Sequence, residues 1–236
     1  MPSDVSGNPA SSSARLVSLF PVEVAAAELR GVADIALLYP EERKHVERSA
    51  ERRIRDFSGG RLCARLALAE LGVHNFPLCA GEDRRALWPS GIVGSITHTK
   101  GFCAAVAARC QIAQSVGIDA EVIERVTDPM LGMICTGEEQ DWIHSLDSSG
   151  QTLATALAFS CKEAFYKCQY PLSRQWLDFT DVRLVPERTR LSEGRFALQL
   201  LKPVEALADK LDCLEGRFVV DGPLIISTMA FSPSLA

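Results

Sequence analysis

The stretch Val116-Gly117-Ile118-Asp119-Ala120-Glu121-Val122 constrains this chain more than any other. Read as a strand, it puts Val116, Ile118, Ala120 and Val122 on one face and Gly117, Asp119 and Glu121 on the other. The two carboxylates then lie about 7 Å apart along the backbone. Acidic side chains this close repel each other unless a cation or a basic group compensates. A glycine inside the strand marks close approach by a ligand or by other backbone. About thirty residues on, Leu153 to Tyr170 reads as the longest clear helix, ended by Pro171. Glu163 and Lys167 share one face of it.

Three segments therefore gather the chemistry: Gly94-Ser95-Ile96-Thr97-His98, Gly117-Ile118-Asp119-Ala120-Glu121, and Phe159-Ser160-Cys161-Lys162-Glu163-Ala164-Phe165-Tyr166-Lys167. Together they hold three carboxylates, two lysines and a histidine. That set suits a divalent metal on a diphosphate. Mg²⁺ takes one or two protein carboxylates and completes its shell with phosphate oxygens and water. Lysines act as point charges on the same phosphates.

Each segment also has a plainer reading. Asp119 and Glu121 could line the solvent side of an amphipathic strand. Lys162, Glu163 and Lys167 could form a helix-surface ion pair worth a few tenths of a kcal/mol. His98 could be a satisfied core or loop histidine, although Gly94, Ser95, Thr97 and Gly101 around it supply short donors and open backbone, as at anion sites. The run Arg52, Arg53, Arg55, Arg61 could be a solvated helix face, partly paired with Glu47, Glu51 and Asp56.

Composition narrows the class. The 236 residues are 47% hydrophobic and 23% charged, with a net charge of −5. This is ordinary for a soluble globular protein and large enough for a core without disulfides. The charge argues against nonspecific binding to nucleic acid or an anionic membrane. The eight cysteines form no Cys-x-x-Cys pair, which argues against zinc and for a reducing, cytoplasmic setting. No Walker-type or dinucleotide glycine pattern occurs, and no apolar run is long enough to span a membrane.

Along the chain, residues 1–14 read as a disordered start, 15–114 as an N-terminal lobe and 115–236 as a C-terminal lobe. The charged stretch from Pro40 to Phe57 has helical spacing, then a break at Ser58-Gly59-Gly60. A second helix runs from Arg61 to Leu71 and stops at Gly72. Residues 74–91 read as loop. Ile92 to Ile96, Phe102 to Ala108 and Val116 to Val122 are strand candidates. Residues 127–147 suggest a helix-turn-helix, with Thr136 and Glu139 as a capping box. Arg217 to Val220 and Leu224 to Met229, around Asp221-Gly222, suggest a hairpin. No sequence repeat is visible.

In this order the three segments resemble the signature of the 4'-phosphopantetheinyl transferases. The flanking Gly60-Arg61-Leu62-Cys63-Ala64-Arg65 and Leu87-Trp88-Pro89 resemble the monomeric two-lobed type, in the branch associated with enterobactin synthase. The resemblance runs from about Arg43 to Val182. It departs at Phe159, where tryptophan is commoner, and at Ala86, where a proline is common. It implies an α+β fold of two similar lobes related by a pseudo-twofold axis, with coenzyme A in the cleft between them. It implies a Mg²⁺-dependent enzyme, with Mn²⁺ as a substitute, that loads phosphopantetheine onto apo carrier proteins of fatty-acid, polyketide or nonribosomal-peptide synthases, siderophore pathways included. By the same resemblance Asp119, Glu121 and Glu163 hold the metal. Arg53, Arg61, Arg84, Ser95, Thr97 and His98 hold coenzyme A phosphates. Lys162 and Lys167 contact the diphosphate and offset charge on the leaving 3',5'-ADP, and Glu163 takes the proton of the carrier serine. Two alternatives stay open: a coenzyme A-binding protein without transferase activity, and another metal-dependent enzyme on a phosphorylated substrate.

Overall fold

The computed structural model describes residues 11–126, 128–186, 191–208 and 214–232. Of the expected disordered start, residues 1–10 lie outside these. Ser11 and Ser12 are not disordered: they form a short strand paired with Glu28 and Ala27.

The chain divides into two compact units. The N-terminal unit, residues 1–18 and 23–112, contains β1 (Ser11–Ser12), α1 (Ala14–Ser18), β2 (Ala25–Arg30), α2 (Pro40–Arg43), α3 (Glu51–Glu70), β3 (Ile92–Thr99) and β4 (Phe102–Arg109). Its antiparallel sheet runs β1-β2-β4-β3. The helix α3 lies on one face of it, over Ala25, Ala27, Leu29, Cys103, Ala105 and Ala107.

The expected break at Ser58-Gly59-Gly60 is absent, because α3 is continuous through it. The glycines serve packing instead. A Cβ on Gly59 would stand 2.5 Å from Cys103 Sγ, and one on Gly60 2.7 Å from Ile96 Cγ2. Glycine weakens a helix interior by about 1 kcal/mol, a cost offset here by seating the helix directly on the sheet.

The C-terminal unit, residues 19–22 and 113–236, contains β5 (Ser115–Val122), α4 (Asp128–Ile134), α5 (Gly137–His144), α6 (Ser148–Ser173), β6 (Val182–Pro186), β7 (Glu193–Leu200), β8 (Leu214–Asp221) and β9 (Leu224–Phe231). Its antiparallel sheet runs β5-β9-β8-β7-β6. The long helix α6 packs on β5 and β9. Each unit is thus one antiparallel sheet under one long helix, an α+β fold as expected.

The capping box forms as read. Thr136 Oγ1 accepts from the Glu139 amide, and the Glu139 carboxylate accepts from the Thr136 amide. The β8–β9 hairpin turns through Gly222 at φ 59°. The helix α6 is longer than expected. It starts at an Asp147 cap, whose carboxylate takes the Gly150 amide, and runs past Pro171 to Arg174 in the left-handed region. Pro171 forfeits one backbone hydrogen bond, close enough to the helix end for the last turn to persist. No helix among the described residues is long and apolar enough to cross a membrane.

Candidate active site

The strand β5 meets α6 at closest range through Gly117. A Cβ there would lie 2.0 Å from the Ala164 carbonyl oxygen and 2.9 Å from Cys168 Cβ. The contact orients the strand. With Gly117 turned to the helix, the pleat turns Asp119 and Glu121 the same way. Asp119 is buried, which overturns the reading of a solvent face. One turn of α6 supplies the partner charges: Lys167 Nζ donates to Asp119 Oδ1 at 2.6 Å and to the Ile118 carbonyl at 3.3 Å.

Burial and charge set the protonation of this cluster. Desolvation, then the negative charge of Asp119, push Glu121 up to about 7. Glu163 is raised by burial, against the pull of Lys167 and with the push of Asp119. Burial alone would lower Lys167, but Asp119, Glu163 and Glu121 together raise it. Asp119, Glu121 and Glu163 are thus coupled through one lysine. Among the described residues, no three histidine, cysteine, aspartate or glutamate side chains are gathered as a ready metal cage. The donors are nonetheless hard carboxylate oxygens whose mutual repulsion a divalent cation would relieve, which fits Mg²⁺ or Mn²⁺.

Lys162 does not join that cluster. Its side chain is buried, and Nζ donates to Ile134 O at 2.8 Å, Glu139 Oε2 at 2.7 Å and Phe179 O at 3.0 Å. An ammonium has three donors, and all three are spent on protein oxygens. Beside Glu163 lies a cavity of about 240 Å³, walled by Phe165, Tyr166, Trp176, Leu177 and Phe179. Tyr166 meets Trp176 edge-on, with centroids 5.1 Å apart.

In the N-terminal unit, Arg53, Phe57 and Arg61 line one side of α3 at successive turns. The guanidinium of Arg61 sits 4.0 Å over the Phe57 ring and that of Arg53 5.9 Å from it. Arg61 is buried and donates Nε to the Leu78 carbonyl at 2.6 Å. Desolvation chiefly, opposed by Glu42 and aided by Arg53, lowers its pKa to about 10. His98 Nδ1 is 3.7 Å from Asp56 Oδ2, on the α3 side of the sheet. Ser95 and Thr97 are buried on the opposite face, because neighbours on a strand alternate. They do not surround His98 as the sequence suggested. Arg84 is exposed, at φ 64° in the 81–89 loop. Part of the basic run is self-paired, Arg55 with Glu51 and Arg52 with Asp56.

Comparison with known proteins agrees with this layout. Residues 41–108 match the 4'-phosphopantetheinyl transferase N-terminal domain, and residues 115–220 match the 4'-phosphopantetheinyl transferase superfamily. The chain belongs to this superfamily. It is 36% identical to 4'-phosphopantetheinyl transferase Svp of Streptomyces mobaraensis, over 83% of this chain and 79% of that protein. It is 33% identical to 4'-phosphopantetheinyl transferase Npt of Nocardia iowensis, over 91% of this chain and 99% of that one. It is also 33% identical to enterobactin synthase component D of Salmonella typhi, over 56% of this chain and 54% of that protein, in keeping with the expected branch.

For a phosphopantetheinyl transferase, three features of the region were not read from sequence. The sequence marks Glu139 as a helix cap, and the structure makes it also the buried partner of Lys162. Ser227 on β9 stands opposite Asp119 and 3.5 Å from Cys161, whose thiol is pushed up by burial. The aromatic cavity draws Trp176 and Phe179 from a segment with no distinctive pattern.

Proposed function

We propose that this transferase uses the β5–α6 cluster to move the 4'-phosphopantetheine group of coenzyme A onto a serine of an apo carrier protein, releasing 3',5'-ADP. One observation carries the reading: three coupled carboxylates and a lysine meet where β5 touches α6. Asp119, Glu121 and Glu163 would hold Mg²⁺, or Mn²⁺ in its place. When bound, the ion supplies positive charge to the diphosphate oxygens, as in other phosphoryl transfers.

The chain's own groups do the rest. Glu163, with proton affinity raised by burial, takes the serine proton directly or through water. The serine oxygen forms a bond to the β-phosphorus as the bond to 3',5'-ADP breaks. Lys167, charged and fixed against Asp119, offsets charge growing on the leaving group. The apolar cavity beside Glu163 suits a narrow, uncharged chain such as the pantetheine arm. Arg61 suits the adenosine 3'-phosphate: among the described residues only the Leu78 carbonyl takes a hydrogen bond from it, so its terminal nitrogens are open to a ligand. We assign Arg53, Arg84 and His98 to the same nucleotide end; Arg53 and Arg84 are exposed and His98 is half-buried.

The test is intact-mass analysis of apo carriers from fatty-acid, polyketide and peptide synthases after incubation with coenzyme A and Mg²⁺. A phosphopantetheine adduct with release of 3',5'-ADP is expected. Coenzyme A binding without an adduct on any carrier would make the chain a binder. Release of 3',5'-ADP without a carrier would make it a hydrolase.

A further inference from the structure

Glu139 is a hub. Oε2 accepts from the Thr136 amide at 2.6 Å and from Lys162 Nζ at 2.7 Å, and Oε1 accepts from the Leu184 amide at 2.6 Å. The lysine extends the hub to the Ile134 carbonyl at the end of α4 and to the Phe179 carbonyl in the cavity wall. One buried pair thus ties α4, α5, β6 and the cavity wall to α6.

The N-terminal unit contains the same device. Glu42, fully buried, accepts at Oε2 from the Tyr39 amide at 2.9 Å and from Arg65 Nη1 at 2.7 Å, and at Oε1 from the Leu78 amide at 2.9 Å. Arg65 Nη2 donates to the Leu37 carbonyl. In both units the base follows its glutamate by 23 residues. In both, the glutamate binds the amide three positions back and a leucine amide beyond the long helix. In both, the base reaches the carbonyl five positions before the glutamate. The Glu42–Arg65 pair does this in a unit that has no part of the β5–α6 carboxylate cluster. Its role there is to hold a helix against its surroundings.

We infer that Lys162 is a positioning residue, not a phosphate contact: with Glu139 it forms the C-terminal counterpart of the Glu42–Arg65 anchor and holds Glu163 and the cavity wall in register. The inference rests on the transferase reading only for the effect on turnover. The anchor itself is a matter of folding. Breaking one half of a buried ion pair leaves an uncompensated charge, whereas removing both halves together costs far less than the sum.

The test combines unfolding with binding. Lys162→Met, Glu139→Gln and the double variant are melted without ligand. Each single change is expected to lower the midpoint by about 10 °C, and the double variant to melt no lower than the worse single. Coenzyme A affinity of folded Lys162→Met should stay within about threefold of the starting protein while kcat falls tenfold or more. Lys162→Arg, which copies Arg65, should restore kcat to within about tenfold. An affinity loss of tenfold or more in folded Lys162→Met, the scale of a lost charge-assisted hydrogen bond, would overturn the proposal. Should Lys162→Met not fold, Glu139→Gln decides. It leaves the lysine present, still bonded to the Ile134 and Phe179 carbonyls but without its carboxylate partner, so unchanged kcat would equally overturn the proposal, and a tenfold loss with coenzyme A still bound supports it. If the starting protein does not bind coenzyme A, the transferase reading fails, while the melting cycle still judges the anchor.

Discussion

Gly117→Ala is the sharpest test of how β5 and α6 build the site. The new methyl carbon would start 2.0 Å from the Ala164 carbonyl oxygen, 2.9 Å from Cys168 Cβ and 3.0 Å from the Cys168 amide nitrogen. Ordinary contacts lie at 3.4–4 Å. Two of these three atoms are backbone, so no side chain can swing aside and strand and helix must part by more than about 1 Å. Overpacking of this kind costs about 1–3 kcal/mol, and more where backbone must move. For a chain of this size each kcal/mol lowers the melting midpoint by about 2–4 °C, so a fall of roughly 6–12 °C is expected from the upper end of that range. The same displacement acts on the 2.6 Å link between Lys167 and Asp119. Misplacement by about 1 Å costs about 10²-fold in rate. Calorimetry and carrier loading read the two effects, with Gly132→Ala as control because nothing lies within 4 Å of that site. A Gly117→Ala protein that melts within about 2 °C of its parent, a loss of about 1 kcal/mol or less, and keeps half its transfer would refute the argument.

Other expectations concern the carboxylates of the cluster and Arg61 on α3. Glu163→Gln should leave coenzyme A and Mg²⁺ binding within about tenfold and cut transfer about 10²-fold or more, the scale of a lost base; joint collapse of binding and turnover would make Glu163 chiefly a ligand. Arg61→Ala should weaken coenzyme A about tenfold to a hundredfold and dephospho-coenzyme A much less; equal losses in calorimetry would remove Arg61 from the 3'-phosphate. Glu121, raised from 4.5 to about 7, gives two pH effects of opposite sense. Metal affinity should rise as pH passes about 7, because the ligand is the carboxylate. Without metal, the folded state holds the extra proton between 4.5 and about 7, so stability should fall as pH rises through that window. Urea unfolding at both ends of the window, with and without Glu121→Gln, checks the sign.

Much of the C-terminal unit was legible because its signals are local. The alternation in β5, the Thr136–Glu139 box and the Asp221-Gly222 turn each depend on neighbours within a few residues. What failed depended on partners distant in sequence. The strand β2, Ala-Ala-Ala-Glu-Leu-Arg, carries no β-branched residue, and alanine is depleted in strands. It is a strand because small side chains let α3 sit close. Ser58-Gly59-Gly60 reads as a helix stop until Cys103 and Ile96 are seen across from it. Lys162 and Lys167 look like a pair in sequence. Five helical positions separate them by about 140°, so they face different surroundings, Glu139 for one and Asp119 for the other.

The repeated anchor shows why the likeness between the two units leaves no repeat in the residues. What the units share at 23-residue spacing is one glutamate and one base, and the base differs in type. The other participants are backbone groups of Leu37, Tyr39 and Leu78 in one unit and of Ile134, Thr136 and Leu184 in the other. A backbone amide or carbonyl leaves no mark on residue identity, so a hydrogen-bond pattern can persist where sequence does not. The informative difference is the next position along each helix. After Arg65 comes Leu66, packed against the core, and after Lys162 comes Glu163, coupled to Asp119 and Lys167. The coupled carboxylates thus belong to one unit alone, on a hydrogen-bond frame that both units share around a long helix.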